Sequence, residues 1–211
     1  MWRDPEMQAE TRAQSARAAR RADVSIRIEM ATLEQCLRSG IDKVTVEEVA
    51  AAAGISRRTF YRYFETIDDV LCAMPRRSLK RIFADFDARP ASENVWEAFI
   101  QVYGITRITD EEREIHRLAV GVAQRWPEPW WRAMNRMRPS AHEIYSEMIA
   151  ERLRNQGKEP ASAGLIAAVM EAVILHVAED NTRNGGLMPS PEQLSGALTS
   201  LAGIMKDGVS G

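Results

Sequence analysis

Apolar residues recur along most of this chain at spacings of three and four, the period of a helix buried on one face. The first such stripe precedes Gly40, a residue type common just after helix ends, and consists of Ile26, Met30, Leu33 and Leu37. The alternation of apolar and polar residues that marks a half-buried strand does not occur. The pattern therefore predicts an all-α fold.

Two compact helices are predicted after this stripe. Thr45 and Glu48 have the spacing of a capping box, which predicts a helix through Ala52. Gly54 permits a tight turn, and Ser56 can cap the helix that follows. Thr66 can cap a fourth helix. Closely spaced short helices with a glycine turn are typical of a helix-turn-helix.

The last two predicted helices are more apolar than one buried face requires. Residues 163–178 are apolar nearly all round, broken only by Glu171 and His176, and residues 191–205 contain two glycines that allow close approach. Such surplus apolar surface favours a homodimer interface. The predicted interface residues are Leu165, Val169, Val173, Leu194, Leu198 and Leu201.

The composition is that of a globular protein, with 45% hydrophobic and 27% charged residues. The polar N-terminus does not resemble a secretory signal, and no uninterrupted apolar run is long enough to span a bilayer. We therefore expect a cytoplasmic protein without membrane contact, whose Cys36 and Cys72 are reduced, partly buried thiols. Residues 1–81 have a net charge of +3 and the remainder −5, which places any polyanion-binding surface in the N-terminal third.

The segment 45–64, TVEEVAAAAGISRRTFYRYF, combines a core face with an unusual polar face. Ile55, Phe60 and Phe64 are expected to hold the second helix against the first. The side chains left to point outward are Arg57, Arg58, Thr59, Tyr61 and Tyr63. Arginine can bond guanine edges, and hydroxyl groups can reach phosphates. For the cluster of Arg57, Arg58 and Arg62 the alternative is an ordinary solvated face, but the caps and turn favour DNA contact.

The polar stretch before Asp23 contains Arg12, Arg17, Arg20 and Arg21, with several alanines among them. We interpret it as a frayed or partly helical arm. The sequence leaves open whether these arginines enter a minor groove or belong to a disordered tail.

These motifs resemble the tetracycline-repressor (TetR/AcrR) family over residues 26–71. The matching features are the Thr45-opened helix, the Ala-Ala-Gly-Ile turn, Ser56, Thr59, Tyr61, the pair Tyr63-Phe64, and Asp68-Asp69 at the start of the fourth helix. The resemblance implies a helix-turn-helix domain at residues 1–70 and a helical effector-binding and dimerisation domain at residues 71–211. It further implies a repressor that a small lipophilic effector releases from a palindromic DNA operator.

Carried over from the family, Thr45 would contact phosphate, and Arg57, Arg58 and Thr59 would contact bases or phosphate. Tyr61, Tyr63 and Thr66 would also fall on the DNA backbone. The chain departs from the family at Ile67, where a phosphate-binding lysine is usual, and at Arg58, where a small residue is common. Arg58 or the arm arginines are candidates to supply the missing charge.

An effector pocket would be lined by aromatic and aliphatic side chains with few polar groups. The candidate residues are Trp96, Phe99, Tyr103, Trp126, Trp130, Met170, Ile174 and His176. For each of them the alternative is plain core packing, and His176 is expected to be a satisfied core residue more readily than a ligand contact.

Sequence motifs for catalysis, a cofactor or a metal are absent: no nucleophile elbow, no phosphate-binding glycine loop and no zinc-ligand spacing occurs. Two alternatives to an effector-controlled repressor remain. One is a DNA-binding regulator without a small-molecule effector, which a collapsed second domain would favour. The other is a helical enzyme with an incidental helix-turn-helix, which a titratable cluster in a C-terminal pocket would favour.

Overall fold

The computed structural model describes residues 5–104, 108–186 and 189–207, with side chains for residues 13–103, 108–186 and 189–204. Within these ranges the chain forms α-helices, short 3-10 turns and loops but no strand, which confirms the all-α prediction. The helices are α1 Pro5–Ser39, α2 Val46–Ala52, α3 Arg57–Tyr61, α4 Ile67–Leu71, α5 Ala73–Asp87, α6 Val95–Gly104, α7 Asp110–Arg125, α8 Pro127–Asn135, α9 Arg138–Asn155, α10 Ala163–Arg183 and α11 Pro191–Asp207.

Side-chain caps begin the three short helices α2, α3 and α4. Thr45 and Thr66 each form a complete capping box, with Glu48 and Asp69 respectively, and the Ser56 hydroxyl accepts a bond from the Thr59 amide. Such caps pair backbone N–H groups that a helix end leaves unsatisfied. Helices of five to seven residues depend strongly on these bonds because they contain few internal hydrogen bonds.

Helices α1 to α4 surround a small common core. Its fully buried members include Ile28, Val49 and Phe60, and Ile67 packs against them from the start of α4. The arm before Asp23 is not separate from this unit, since α1 is one helix from Pro5 to Ser39. This corrects the expectation of a frayed or partly helical arm. The side chain of Arg12 lies outside the described residues.

A second core joins the N-terminal helices to the rest of the chain. Leu33 and Cys36 of α1 pack with Met74 of α5 and with Ile115 and Val122 of α7. The proposed division at residue 70 therefore crosses a continuous apolar contact. Burial raises the pKa of the Cys36 thiol to about 12, so this group stays protonated.

Gly40 ends α1 with a left-handed backbone, φ +94°, that side-chain-bearing residues rarely adopt. The indole of Trp126 lies 3.6 Å from where a Cβ would stand, and its Nε1 donates to the Cys36 carbonyl at 3.0 Å. Trp126 thus holds the end of α1 against α7 and α8. This is a structural position and not the predicted position in an effector pocket.

Helices α5, α6, α9, α10 and α11 enclose the largest core. α10, with the 3-10 turn before it, is the one described helix that is long and apolar enough to cross a membrane, by length and composition alone. Only 28% of its most apolar window is buried within the chain, so much of its apolar surface lacks an internal partner.

Two of the predicted interface residues belong to this chain's own core. Val173 and Leu194 are 6% and 0% exposed, which leaves no surface for a second subunit. Leu165 is 70% exposed, and Val169, Leu198 and Leu201 are partly exposed. Ile204, at the end of α11, is also exposed. An outward apolar strip therefore remains on α10 and α11, displaced from the predicted one.

Candidate functional site

The first candidate site is the outer surface of α2 and α3. Phe60 is fully buried and anchors α3 to the core. Gly54 supplies the turn between the helices with φ +66°, and the Arg27 guanidinium donates to the Ala53 carbonyl at 3.0 Å. These contacts orient α3 so that its remaining side chains point away from the core.

The exposed face of α3 contains the predicted base-reading residues. Arg57, Arg58 and Tyr61 are exposed, and Thr59 is half-buried, with its hydroxyl 2.9 Å from that of Ser56. Arg57 pairs with Glu47 at 2.9 Å and lies over the ring of Tyr61, 5.5 Å from the ring centroid. A solvent-exposed pair of this kind contributes little free energy, so Arg57 can exchange its partner for a DNA group.

Thr45 and Thr66 lie at the ends of this surface, but their hydroxyl groups already have partners. Each hydroxyl donates to the carboxylate of its own capping box, Thr45 to Glu48 at 2.8 Å and Thr66 to Asp69 at 2.9 Å. These bonds lower the pKa of Glu48, which keeps a negative charge beside Thr45. A phosphate at Thr45 would have to displace that bond, and both threonine contacts remain predictions.

A cluster of arginines surrounds Tyr63 between α1 and the end of α3. Arg17, Arg20, Arg21 and Arg62 line an open groove together with this tyrosine. The guanidinium groups of Arg21 and Arg62 lie over the Tyr63 ring, at 5.8 and 5.4 Å from its centroid. Arg62 belongs to the cluster with Arg57 and Arg58 for which the sequence favours DNA contact. The structure brings the α1 arginines beside it, and the spacing of three and four between Arg17, Arg20 and Arg21 puts these three on one side of α1.

The second candidate site is an apolar cavity of about 250 Å³ in the C-terminal part of the chain. It lies between α5, α7, α8, α9 and α10, with one residue of α6 at its wall. Of the predicted pocket residues, Tyr103, Trp130 and Ile174 line it. Sequence reasoning missed the contribution of α5, including Leu79 and Ile82, because helical period alone does not say which apolar face borders a gap.

The remaining predicted pocket residues lie elsewhere. Phe99 and Met170 are fully buried, and a side chain without accessible surface does not border a cavity of this size. Trp96 is half-buried against the largest core. His176 is exposed, which corrects both its placement in the pocket and the expectation that it is a core residue.

Few polar groups face the cavity. The hydroxyl groups of Tyr103 and Tyr145 are 2.9 Å apart, and burial, with the nearby Glu171 charge, raises the pKa of both phenols, so they are neutral. Burial lowers the pKa of His116, which also lines the cavity, and its Nδ1 has no hydrogen-bond partner among the described residues. The cavity therefore favours an apolar ligand with a small number of polar groups.

Glu171, which lines the cavity, contacts a histidine that does not line it. His142 Nδ1 lies 3.1 Å from its carboxylate, and Ser146 Oγ lies 3.5 Å from His142 Nε2. The order serine, histidine, carboxylate matches a nucleophile-base-acid arrangement, but neither Ser146 nor His142 lines the cavity. Ser146 also lies within α9, where backbone N–H groups are engaged in the helix and cannot form an oxyanion hole. The arrangement orients Glu171.

An ionic bridge that contains two buried carboxylates links α1, α5 and α7. Arg77 of α5 binds Glu29 of α1 through both guanidinium NH2 groups, at 2.6 and 2.8 Å, and its Nε lies 3.5 Å from Glu112 of α7. Arg81 binds the same Glu112 at 2.8 Å. Burial would raise the pKa of Glu112, but its bonds to Arg81 and the Thr109 amide, with both arginine charges, outweigh this and lower it.

Within the described part of the chain, no group of three or more acidic, cysteine or histidine side chains could hold a metal ion. Neither candidate site therefore contains a recognisable set of metal ligands.

Residues 30–74 match the model of the bacterial regulatory proteins of the tetR family. The HTH-type transcriptional regulator TcmR of Streptomyces glaucescens is 28% identical over 102 residues, 45% of either protein, so the match spans under half of that relative. These relatives are transcriptional regulators and not enzymes.

Solved structures extend the likeness to the fold. A putative TetR-family regulator from Syntrophomonas wolfei is 16% identical, with a TM-score of 0.56 over 89% of this chain and 97% of its own. A putative TetR-family regulator from Rhodococcus sp. is also 16% identical, with a TM-score of 0.55 over 87% of this chain and 99% of its own. At this identity the likeness concerns the fold alone.

Proposed function

We propose that this chain is a transcriptional regulator of the TetR family, and that it is a repressor released from a palindromic operator by a small lipophilic effector. The observation that carries the proposal is the pairing of two sites in one chain. α3 has an exposed basic and aromatic face, and α5 borders an apolar cavity.

α3 is proposed to enter the major groove. Arg57 and Arg58 are the candidates for base contacts, because a guanidinium group can form two bonds to one guanine. We expect Thr59, Tyr61 and Tyr63 to contact bases or the DNA backbone nearby. Thr45 and Thr66 would contribute phosphate contacts only after breaking their capping bonds.

The arginine groove around Tyr63 is proposed to bind backbone phosphates beside the half-site. Its guanidinium groups come from α1 and from the end of α3, so a phosphate there would have several donors without a lysine at position 67. This extends the protein–DNA contact along α1. These arginines would also supply the positive charge that this chain lacks at Ile67, where the family usually has a phosphate-binding lysine.

The functional unit is proposed to be a cytoplasmic homodimer without membrane contact. The exposed strip on α10 and α11, which includes Leu165 and Ile204, would be covered by the same strip of a second copy. A two-fold interface brings two copies of α3 to one face, as a palindromic operator requires.

Release of DNA is proposed to follow from a population shift. An effector that binds one conformation of the cavity more tightly than another favours that conformation by the difference in binding free energy. α5 borders the cavity and binds α1 through Arg77, so a displacement of α5 would reach the DNA-binding helices. The cavity supports this effector-controlled function over a regulator with a collapsed second domain. The domain boundary near residue 70 remains a prediction.

The experiment is a gel-shift titration at constant salt with an operator selected from genomic fragments. Arg57→Ala and Tyr61→Ala should weaken specific binding strongly, because each removes about 1–3 kcal/mol per half-site and a dimer loses two contacts. Arg154→Ala, an exposed arginine of α9 that pairs with Glu147, is the matched control and should bind normally. Unchanged operator affinity in both α3 variants would contradict the assignment.

A further inference from the structure

The cavity has a single acidic feature. Among the described residues that line it, only Glu171 carries a carboxylate. Its side chain is 14% exposed, and the surrounding wall consists largely of aliphatic and aromatic side chains such as Ile174, Trp130 and Trp131. A carboxylate in such surroundings gains strongly from a positively charged partner, because few waters are available to solvate it.

A hydrogen bond from His142, which itself lies close to Ser146, orients the carboxylate of Glu171. Ser146 can donate to His142 Nε2, and His142 Nδ1–H then donates to Glu171 Oε1. In this arrangement the imidazole supplies one hydrogen bond to one oxygen of the carboxylate. The remaining acceptor sites of the carboxylate are left for another donor.

The other polar groups of the cavity do not compensate this charge. Tyr103 and Tyr145 are neutral phenols bonded to each other. Arg138 is the only described lining residue with a permanent positive charge, and it is solvent-exposed at the beginning of α9. Water screens an exposed guanidinium, so its attraction for Glu171 is weak.

We propose that the effector of this regulator is a lipophilic amine whose ammonium group binds Glu171 while its apolar body fills the cavity. This inference rests on the proposed function, of which it specifies the ligand class. The cavity of about 250 Å³ exceeds the roughly 150 Å³ apolar cavity that accepts benzene, so an aromatic ring with a short aliphatic chain fits.

The test uses three probes with the same ring and four-carbon chain: phenylbutylamine, phenylbutanol and phenylbutyrate. Binding to the full chain without DNA is followed by quenching of tryptophan fluorescence, since Trp130 and Trp131 line the cavity. The amine should bind about ten- to a hundredfold more tightly than the carboxylate, with the alcohol between them, as expected for a charge-assisted bond.

Glu171→Gln keeps the shape of the side chain and removes its charge. It should weaken binding of the amine by about tenfold or more and leave binding of the alcohol nearly unchanged, which also shows that the cavity is intact. Glu147→Gln, an exposed residue of α9, is the control and should retain the preference for the amine.

The proposal is overturned if phenylbutyrate binds as tightly as phenylbutylamine, if Glu171→Gln retains the preference, or if none of the probes binds at millimolar concentration. None of these results affects the operator gel shift of the ligand-free protein. Failure of the ligand class and failure of the DNA-binding function are therefore distinguishable.

Discussion

Removing the Arg77 guanidinium should destabilise the whole chain, because it leaves a buried carboxylate without its main partner. Glu29 is 1% exposed and receives two bonds from Arg77, at 2.6 and 2.8 Å, while Ser25 supplies one more at 3.1 Å. Arg77→Met retains most of the aliphatic volume and removes the charge. Glu112 keeps its bond to Arg81, so the effect concentrates on Glu29.

The expected loss is about 3–5 kcal/mol in the free energy of unfolding, the cost of leaving one member of a buried ion pair uncompensated. For a chain of this length each 1 kcal/mol lowers the melting temperature by about 2–4 °C, which predicts a decrease of about 6–20 °C. The assay is thermal unfolding by circular dichroism, supported by urea titration.

The double variant Glu29→Met, Arg77→Met tests the cause of this loss. It removes both charges and should recover most of the stability, because an apolar pair of similar volume replaces a buried ion pair at little cost. A loss below about 1 kcal/mol in Arg77→Met, or a double variant no more stable than the single one, would refute the reasoning.

Three further predictions concern other parts of the molecule. Burial lowers the pKa of His116 below its ordinary value of 6.5. As the pH falls through that value the unfolded chain therefore binds more protons than the folded chain, and the free energy of unfolding should decrease. His116→Gln should flatten the melting temperature between about pH 7 and 5 relative to the parent, and equal slopes would contradict this. Leu165→Glu should give monomers in analytical ultracentrifugation, whereas the control Ile144→Glu, which also replaces an exposed apolar residue but on α9, should remain dimeric. A dimeric Leu165→Glu variant would contradict the assignment of α10 to the interface. Arg21→Ala should weaken binding to any DNA sequence and reduce the salt dependence of log K by about one per half-site, and an unchanged slope would exclude phosphate contact in the groove around Tyr63.

The local structure of the N-terminal region could be predicted from the sequence. Capping depends on residues three positions apart, so the Thr45–Glu48 and Thr66–Asp69 boxes and the helices they begin follow from the order of residues alone. The turn at Gly54 follows for the same reason, because only a residue without Cβ adopts its backbone conformation readily. The all-α class also required only the period of the apolar residues.

The placement of the functional side chains required the tertiary structure. Helical period identifies an apolar face but not the element that covers it, so it could not separate Val173, which is buried in the chain's own core, from the exposed Leu165 on the same helix. The ion pair of Glu29 and Arg77 joins residues 48 positions apart, beyond the reach of any local pattern. The setting of Glu171 in an apolar cavity likewise arises only where several helices meet, since burial is a property of all the surfaces around a side chain and not of its neighbours in sequence.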